Sequence, residues 1–327
     1  MVFVELVTLV IFIVILAKSS GLVVENASKL AVFFGISTLA VGMLLVAVST
    51  SLPELSVSVA SSTAKQGAIA AGNVFGSNIA NVLLILGLGA FLYGFRVGKE
   101  NLKDLALVLM LTTLISVYIL FHTQITGSAL GFYEGVLLLI IFLWYANRLL
   151  GKKNMENMAP AKRMGRQEGL RAFLFFGLGV IGVIISSNFV VDSAVTLAEI
   201  AGLSKSFIGA TLIALGTSLP ELSIDLQAIR RKQFGLALGD AIGSNMANVT
   251  LVLGAAAAIS PIVVNLSIFS AALLFAVVAN MVFLYIAAIN GKFGRKDGLL
   301  LLALYALYLI VIFYLQFGEV KLPAQLS

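Results

Sequence analysis

The chain of 327 residues is 60% hydrophobic and only 11% charged, where a soluble domain has roughly 45–50% and 25%, and its mean hydropathy of +1.08 is spread along the whole length. A soluble fold is excluded. No cysteine and a single histidine, His122, also exclude disulfides, thiolate metal sites, a cysteine nucleophile and multi-histidine zinc, and the net charge of 21 − 15 = +6 sits in loops, where it reports membrane orientation rather than nucleic-acid binding.

The N-terminal run, residues 1–17, is apolar but lacks a basic leader and a small-residue cleavage site, so it reads as a retained first span. Apolar runs then predict ten transmembrane helices at about 2–24, 36–62, 67–92, 103–122, 130–149, 171–194, 204–229, 235–259, 266–289 and 298–317. The fold class is an all-α polytopic membrane protein. Ten spans place Lys65, Lys205 and Lys321 on one side and the remaining 21 − 3 = 18 basic residues on the other. The positive-inside rule makes the second side cytoplasmic, with both termini extracellular. His122 falls at an outer helix end and reads as an interfacial residue. The one linker, 150–170, is a solvated cytoplasmic loop too short for a regulatory domain, and its basic residues suit that reading better than a specific anionic-lipid site.

Residues 19–87 align without a gap on 186–254, an offset of 186 − 19 = 167. The chain is therefore a duplication: an N-terminal five-helix repeat over 1–149 and a C-terminal one over 171–327, with the most similar blocks at 37–87 and 204–254. A shift of five spans reverses orientation, so the repeats are inverted, the build of many secondary transporters. Two blocks carry most of the identity. Thr-Ser-Leu-Pro-Glu-Leu-Ser occurs at 50–56 and 217–223, while the block from Gly72 to Asn81 recurs, with changes, from Gly239 to Asn248. Glu54 is 65 − 54 = 11 residues before the turn at Lys65, and Ser77 is 77 − 65 = 12 after it. At about 1.5 Å per residue both sit some 16–18 Å from the turn, near mid-membrane, and Glu221 and Ser244 repeat the spacing about Lys232.

A carboxylate at that depth costs several kcal/mol and marks an ion path or proton relay. Thr50 and Ser51 share a helix face with Glu54, and Pro53 and Pro220 free the carbonyls of Ser49 and Gly216. Asn73, Ser77 and Asn81 form an i, i+4, i+8 stripe, as do Asp240, Ser244 and Asn248. Such a cage of carboxylate, hydroxyl, amide and carbonyl oxygen suits a hard cation, Ca²⁺ or Na⁺. Asp240, the repeat partner of Asn73, stands between two readings, ion ligand or hydrogen-bonded structural acid. Gly72 with Gly76, and Gly239 with Gly243, are small-xxx-small packing patterns. No phosphate loop, nucleophile elbow or zinc-protease motif is present, so ATP-driven pumping and hydrolysis lack residues and no cofactor is called for.

At these blocks the sequence resembles the sodium/calcium exchanger branch of the calcium/cation antiporter superfamily, prokaryotic type, whose α-repeats carry G-T-S-x-P-E and G-N-x-x-G-S-N-like blocks. The resemblance implies a five-plus-five inverted fold, one Ca²⁺ site flanked by Na⁺ sites, and antiport driven by the Na⁺ gradient, with Ca²⁺, Na⁺ and lipid as the partners and a monomer as the working expectation. It places ligand roles on Glu54 and Glu221, on Thr50, Ser51, Thr217 and Ser218, on the backbone oxygens of Ala47 and Ala214, and on Ser77, Asn81, Ser244 and Asn248. Ser49 stands where the family usually has Gly, Asp240 where Asn is usual, and Asn248 where prokaryotic relatives can carry Asp. A proton/calcium antiporter is the alternative, although that branch has G-N-A-x-E in place of T-S-x-P-E, and a K⁺-dependent exchanger is a further variant. From another class, an intramembrane aspartyl protease would need Asp225 as partner to Asp240, and little else supports it.

Overall fold

The computed structural model describes residues 2–126, 130–151, 164–200, 216–262 and 266–319. Helix α1 is Val2–Phe34. The second span is α2 (Thr38–Val41), a π-helical turn (Gly42–Val46), α3 (Ala47–Thr50) and α4 (Leu52–Thr63). The third is α5 (Gly67–Ile79), a π turn (Ala80–Ile85) and α6 (Leu86–Leu92). Strand β1 (Phe95–Arg96), α7 (Lys99–Thr126), α8 (Phe132–Gly151), α9 (Arg166–Ile200) and α10 (Leu219–Arg230) follow. The eighth span is α11 (Phe234–Ala247), a π turn (Asn248–Val252) and α12 (Leu253–Ile259), after which come α13 (Leu266–Ile289), β2 (Lys292–Phe293) and α14 (Arg295–Glu319).

Among the described residues eight helices are long and apolar enough to cross a membrane, nine if the bent pair Thr38–Thr50 and Leu52–Thr63 is one span. Of the expected span 204–229, residues 204–215 lie outside the described residues. Helix α1 runs ten residues beyond the expected 24, through Glu25 and Lys29, because charge ends an apolar run without ending a helix. There Lys29 Nζ meets Glu25 Oε1 at 2.7 Å one turn away. Large apolar side chains such as Phe3, Leu114, Leu143 and Ile310 face outward, as lipid contact requires, whereas the spans Gly67–Leu92 and Phe234–Ile259 are mostly buried.

The chain forms two compact units, Met1–Glu54 with Leu143–Ala247, and Leu55–Phe142 with Asn248–Ser327. In the first, α1 and α9 run antiparallel, with Phe12 stacked on Phe189 at 4.1 Å. Gly179 and Gly182 on α9 leave room for Ser19 and Val23 of α1.

The duplication shows in local geometry. Lys65 and Lys232 both turn through positive φ, 58° and 60°, and the same bonds close the two turns: Gln66 N donates to Ser61 O and Gln233 N to Ala228 O, each at 2.8 Å. In the second unit, cross-pairing between the repeats recurs as well. Strands β1 and β2 pair antiparallel, Phe95 opposite Phe293, and at the positions 167 residues after β1, Ile262 N donates to Leu130 O at 2.9 Å. The two-residue ribbon is an addition to the all-helical expectation.

Two glycines hold the crossings beside these bridges. A Cβ on Gly298 would lie 2.5 Å from Phe91 N and 2.7 Å from Gly87 O, and one on Gly135 would lie 2.6 Å from Ala258 N and 2.7 Å from Gly254 O. Backbone cannot yield as a side chain does, so Gly298→Ala and Gly135→Ala are each expected to destabilise by about 1–3 kcal/mol. Gly177→Ala, which meets nothing within 4 Å, should leave the thermal midpoint in detergent unchanged.

Candidate functional site

The local chain break that carries the site residues is the same in both repeats. Pro53 and Pro220 have no N–H to continue the preceding helix, and the residues two positions earlier take non-helical angles, Ser51 at φ −77°, ψ 5° and Ser218 at φ −89°, ψ 9°. The second span bends by 45° at this break. Glu54 and Glu221 then fall in the first turns of α4 and α10, where the helix N-terminus favours negative charge.

In the first unit, Thr50, Ser51, Glu54, Ser218, Glu221, Asp225, Asp240 and Ser244 are all buried. Their convergence depends on a close helix approach. Carbonyl and Cα atoms of Leu39 and Met43 sit where Cβ atoms of Gly239 and Gly243 would be, at 2.4 and 2.5 Å, so α11 lies backbone to backbone on the second span. This is the small-xxx-small role expected of Gly239 and Gly243. Gly72 has nothing within 4 Å and Gly76 meets only the Tyr308 hydroxyl at 3.9 Å; the repeat counterparts of Leu39 and Met43, at 206 and 210, lie outside the described residues.

That approach sets Thr50 against α11. Its Oγ1 donates to Asp240 Oδ1 at 3.1 Å and lies 3.4 Å from Ser244 Oγ, and Ser244 Oγ donates to the same carboxylate oxygen at 3.3 Å. The Ala47 carbonyl accepts from Ser51 N at 3.0 Å and lies 3.2 Å from Thr50 Oγ1. Glu221 lies within electrostatic range of Glu54 and Asp240, and neither of its carboxylate oxygens has a hydrogen-bond partner of ordinary geometry among the described residues. No three acidic or histidine side chains among the described residues converge as a metal cluster. An ion here would complete its shell with hydroxyl, amide and carbonyl oxygen.

In the second unit, Ser77, Asn78, Asn81 and Asn248 are buried. Asn248 Nδ2 donates to Asn78 Oδ1 at 3.1 Å, which leaves Asn248 Oδ1 without a donor. Asn81 and Asn248, repeat partners, each lie in a π turn, a device common at functional sites because one surplus residue re-aims the side chains beyond it. Asn73 Nδ2 donates to Ser58 Oγ at 3.0 Å. Thr217 is half-buried beside the break, Ala214 lies outside the described residues, and His122 Nε2 is 3.9 Å from Glu134 Oε1 between α7 and α8.

Asp225 is a buried acid that the sequence reading left out of the cage. It adjoins Asp240 within hydrogen-bonding reach. The signal was available in the duplication: Ser58 becomes Asp225 and Asn73 becomes Asp240, two polar positions turned acidic together. The π turns had no comparable signal.

Comparison with known proteins comes down on the same blocks. The profile of the family described as sodium/calcium exchanger protein matches residues 4–150 and 171–314. The sodium/calcium exchanger MaX1 of Methanosarcina acetivorans is 30% identical over 96% of this chain and 100% of its own length, and the inner membrane protein YrbG of Escherichia coli is 34% identical over 77% of this chain and 79% of its own. The solved sodium-calcium exchanger NCX_Mj, soaked with 10 mM Na⁺ and zero Ca²⁺, superposes with a TM-score of 0.81 at 28% identity, covering 95% of this chain and 99% of that one.

The Thr50 hydroxyl links the second span directly to Asp240. A hydrogen bond to a charged group contributes about 1.5–3 kcal/mol. Thr50→Val and Asp240→Asn should therefore be non-additive, and a double-mutant cycle on unfolding in detergent should return a coupling of about 1 kcal/mol or more. Additive effects would remove the bond from the account of the site.

Proposed function

Since the chain belongs to the sodium/calcium exchanger family, and is a secondary antiporter that exchanges Na⁺ for Ca²⁺ across the membrane on the ten-span inverted-repeat fold, we propose that Glu54 and Glu221 bind its single Ca²⁺. The observation that carries this is a pair of buried carboxylates, in mutual electrostatic range, set at identical chain breaks in the two repeats. No Lys, Arg or His pairs with Glu221 among the described residues. Two ionised carboxylates make a charge of −2, which one Ca²⁺ neutralises. Hydroxyls of Thr50, Ser51, Thr217, Ser218, Ser77 and Ser244, amide oxygens of Asn81 and Asn248, and the carbonyls of Ala47 and Ala214 are the pool from which Ca²⁺ completes the six to eight oxygens that it takes. Na⁺ uses subsets of the same oxygens, and competition for them couples the two ions.

The repeats, 1–149 and 171–327, are the two halves of the transport machinery, and the break before each glutamate is where backbone oxygen becomes available to an ion in a medium that otherwise forbids free carbonyls. Both termini are extracellular and the 150–170 loop is cytoplasmic, a reading supported by the 3-to-18 division of basic residues.

Glu54→Gln and Glu221→Gln keep the size and one oxygen but remove half the formal charge. Breaking a buried charge set costs about 3–5 kcal/mol, so each variant should lower Ca²⁺ affinity by at least about a hundredfold while eluting as a folded monodisperse protein. Na⁺-driven ⁴⁵Ca²⁺ uptake at the wild-type rate in either one would remove the proposed site.

For orientation, the native chain has no background thiol. A Gly165→Cys variant, at an exposed position just before α9, should react with an impermeant maleimide only in inverted vesicles. Reaction in right-side-out cells would reverse the orientation.

A further inference from the structure

Helices α1 and α10 of the first unit leave an open groove of about 490 Å³ between them. Its α1 wall is one stripe of that helix, Val14, Lys18, Gly21, Leu22 and Glu25 at positions i, i+4, i+7, i+8 and i+11. The stripe is apolar at one end and charged at the other. Ile13 and Val14 are exposed at the apolar end, and Lys18 opens the charged end one turn on.

The opposite wall is Gln227 of α10 and Arg231 just after it. Arg231 is seated on the neighbouring helix, where its Nη1 donates to the Gly21 carbonyl at 3.0 Å. A Cβ on Gly21 would lie 2.7 Å from Arg231 Nη2 and 3.2 Å from Gln227 Nε2, so the glycine is what lets both side chains close on α1. A guanidinium has five N–H donors, and that carbonyl takes one. Glu25 is the acid among the lining residues. It is matched by Lys29 Nζ at 2.7 Å and lies within electrostatic range of Arg231, so one carboxylate stands against three cations, Lys18, Lys29 and Arg231. The groove is left with a net positive charge.

A lysine on a helix wall is accounted for by its reach toward the membrane surface. An arginine fixed on another helix's carbonyl is not, because it gives up water and side-chain freedom for one hydrogen bond. The duplication sharpens the contrast. The repeat counterparts of Lys18, Gln227 and Arg231 are Ile185 (18 + 167), Ala60 (227 − 167) and Ala64 (231 − 167). The inverted copy thus builds the same helices without these groups, and the cations mark one face of the membrane alone.

We propose that this groove binds an anionic glycerophospholipid, with the phosphate against Lys18, Gln227 and Arg231 and an acyl chain along Ile13 and Val14. Arginine's fork matches phosphate oxygens, and the apolar end of the stripe gives a chain its place, which a free anion would not need. The orientation proposed above puts the Lys232 turn at the cytoplasmic face, where anionic lipid makes the surface potential negative. The choice of leaflet rests on that reading; the chemistry of the groove does not.

The test is native mass spectrometry of the full chain, delipidated in detergent and titrated with dioleoyl phosphatidylglycerol or dioleoyl phosphatidylcholine. One phosphatidylglycerol should bind with a preference of about tenfold or more over phosphatidylcholine, and Lys18→Gln combined with Arg231→Gln should bring that ratio to about one. Arg230→Gln removes the same charge at the adjacent exposed position and should leave the preference intact. Lys18→Gln alone, also at an exposed position, should lower it about threefold and serves where the double variant does not fold. No preference in the wild type overturns the proposal, as does an equal loss in Arg230→Gln, which would mean diffuse surface charge. Displacement of the lipid by inorganic phosphate overturns it too, since the site would then take free anions. Labelling of Gly165→Cys bears only on the leaflet, so either result can fail alone.

Discussion

Hydrocarbon offers a carboxylate neither water nor counter-ion, and the core of this chain is arranged around that constraint. Glu54 and Glu221 are among its most deeply buried groups, and the chain departs from regular helix at several points that carry polar residues. Proline removes a backbone donor just ahead of each, Ser51 and Ser218 leave helical geometry, and π turns interrupt the spans that carry Ser77, Asn81, Ser244 and Asn248. A regular helix satisfies its own carbonyls and has none to give. Breaking it costs hydrogen bonds, and the cation proposed to bind there would return them in the form of coordination.

The breaks alone would leave loose ends without the contact between α11 and the second span. Glycine at 239 and 243 allows backbone to touch backbone, and only at that spacing does Thr50 reach Asp240 and Ser244. A packing device and a chemical device thus occupy adjacent stripes of one helix: the glycines set the distance, and the polar residues beside them inherit its precision.

The duplication and the paired, buried glutamates could be read from residue spacing, because a repeat writes each such position twice. Helix ends were less legible. Glu25 and Lys29 looked like a loop, yet they form an ion pair within α1, since hydropathy records the lipid boundary and not the hydrogen-bond ladder. The π turns at Ala80–Ile85 and Asn248–Val252 leave no mark in apolar periodicity, as one surplus residue shifts the phase by less than the scatter of a short window. Asp225 was weighed only as a protease partner to Asp240 and not as part of the cage, because it lies outside the two blocks of strongest identity. Its meaning came from its neighbour in space, Asp240, fifteen positions on. Departures from an internal repeat proved as informative as its identities.

The cross-pairing of the halves bears on whether either could stand alone. Strand Phe95–Arg96 of the first half is completed by Lys292–Phe293 of the second, and Ile262 of the second by Leu130 of the first. Gly298 and Gly135 seat each half against the other's helices in the same way. The interlocking is that of a swapped homodimer. A single half would leave its bridge unpaired and its glycine notch open, so each half needs the other to close. With both copies on one chain the two can differ, and the aspartates at 225 and 240, which are Ser58 and Asn73 in the first copy, are a trait that a homodimer of identical halves could not carry.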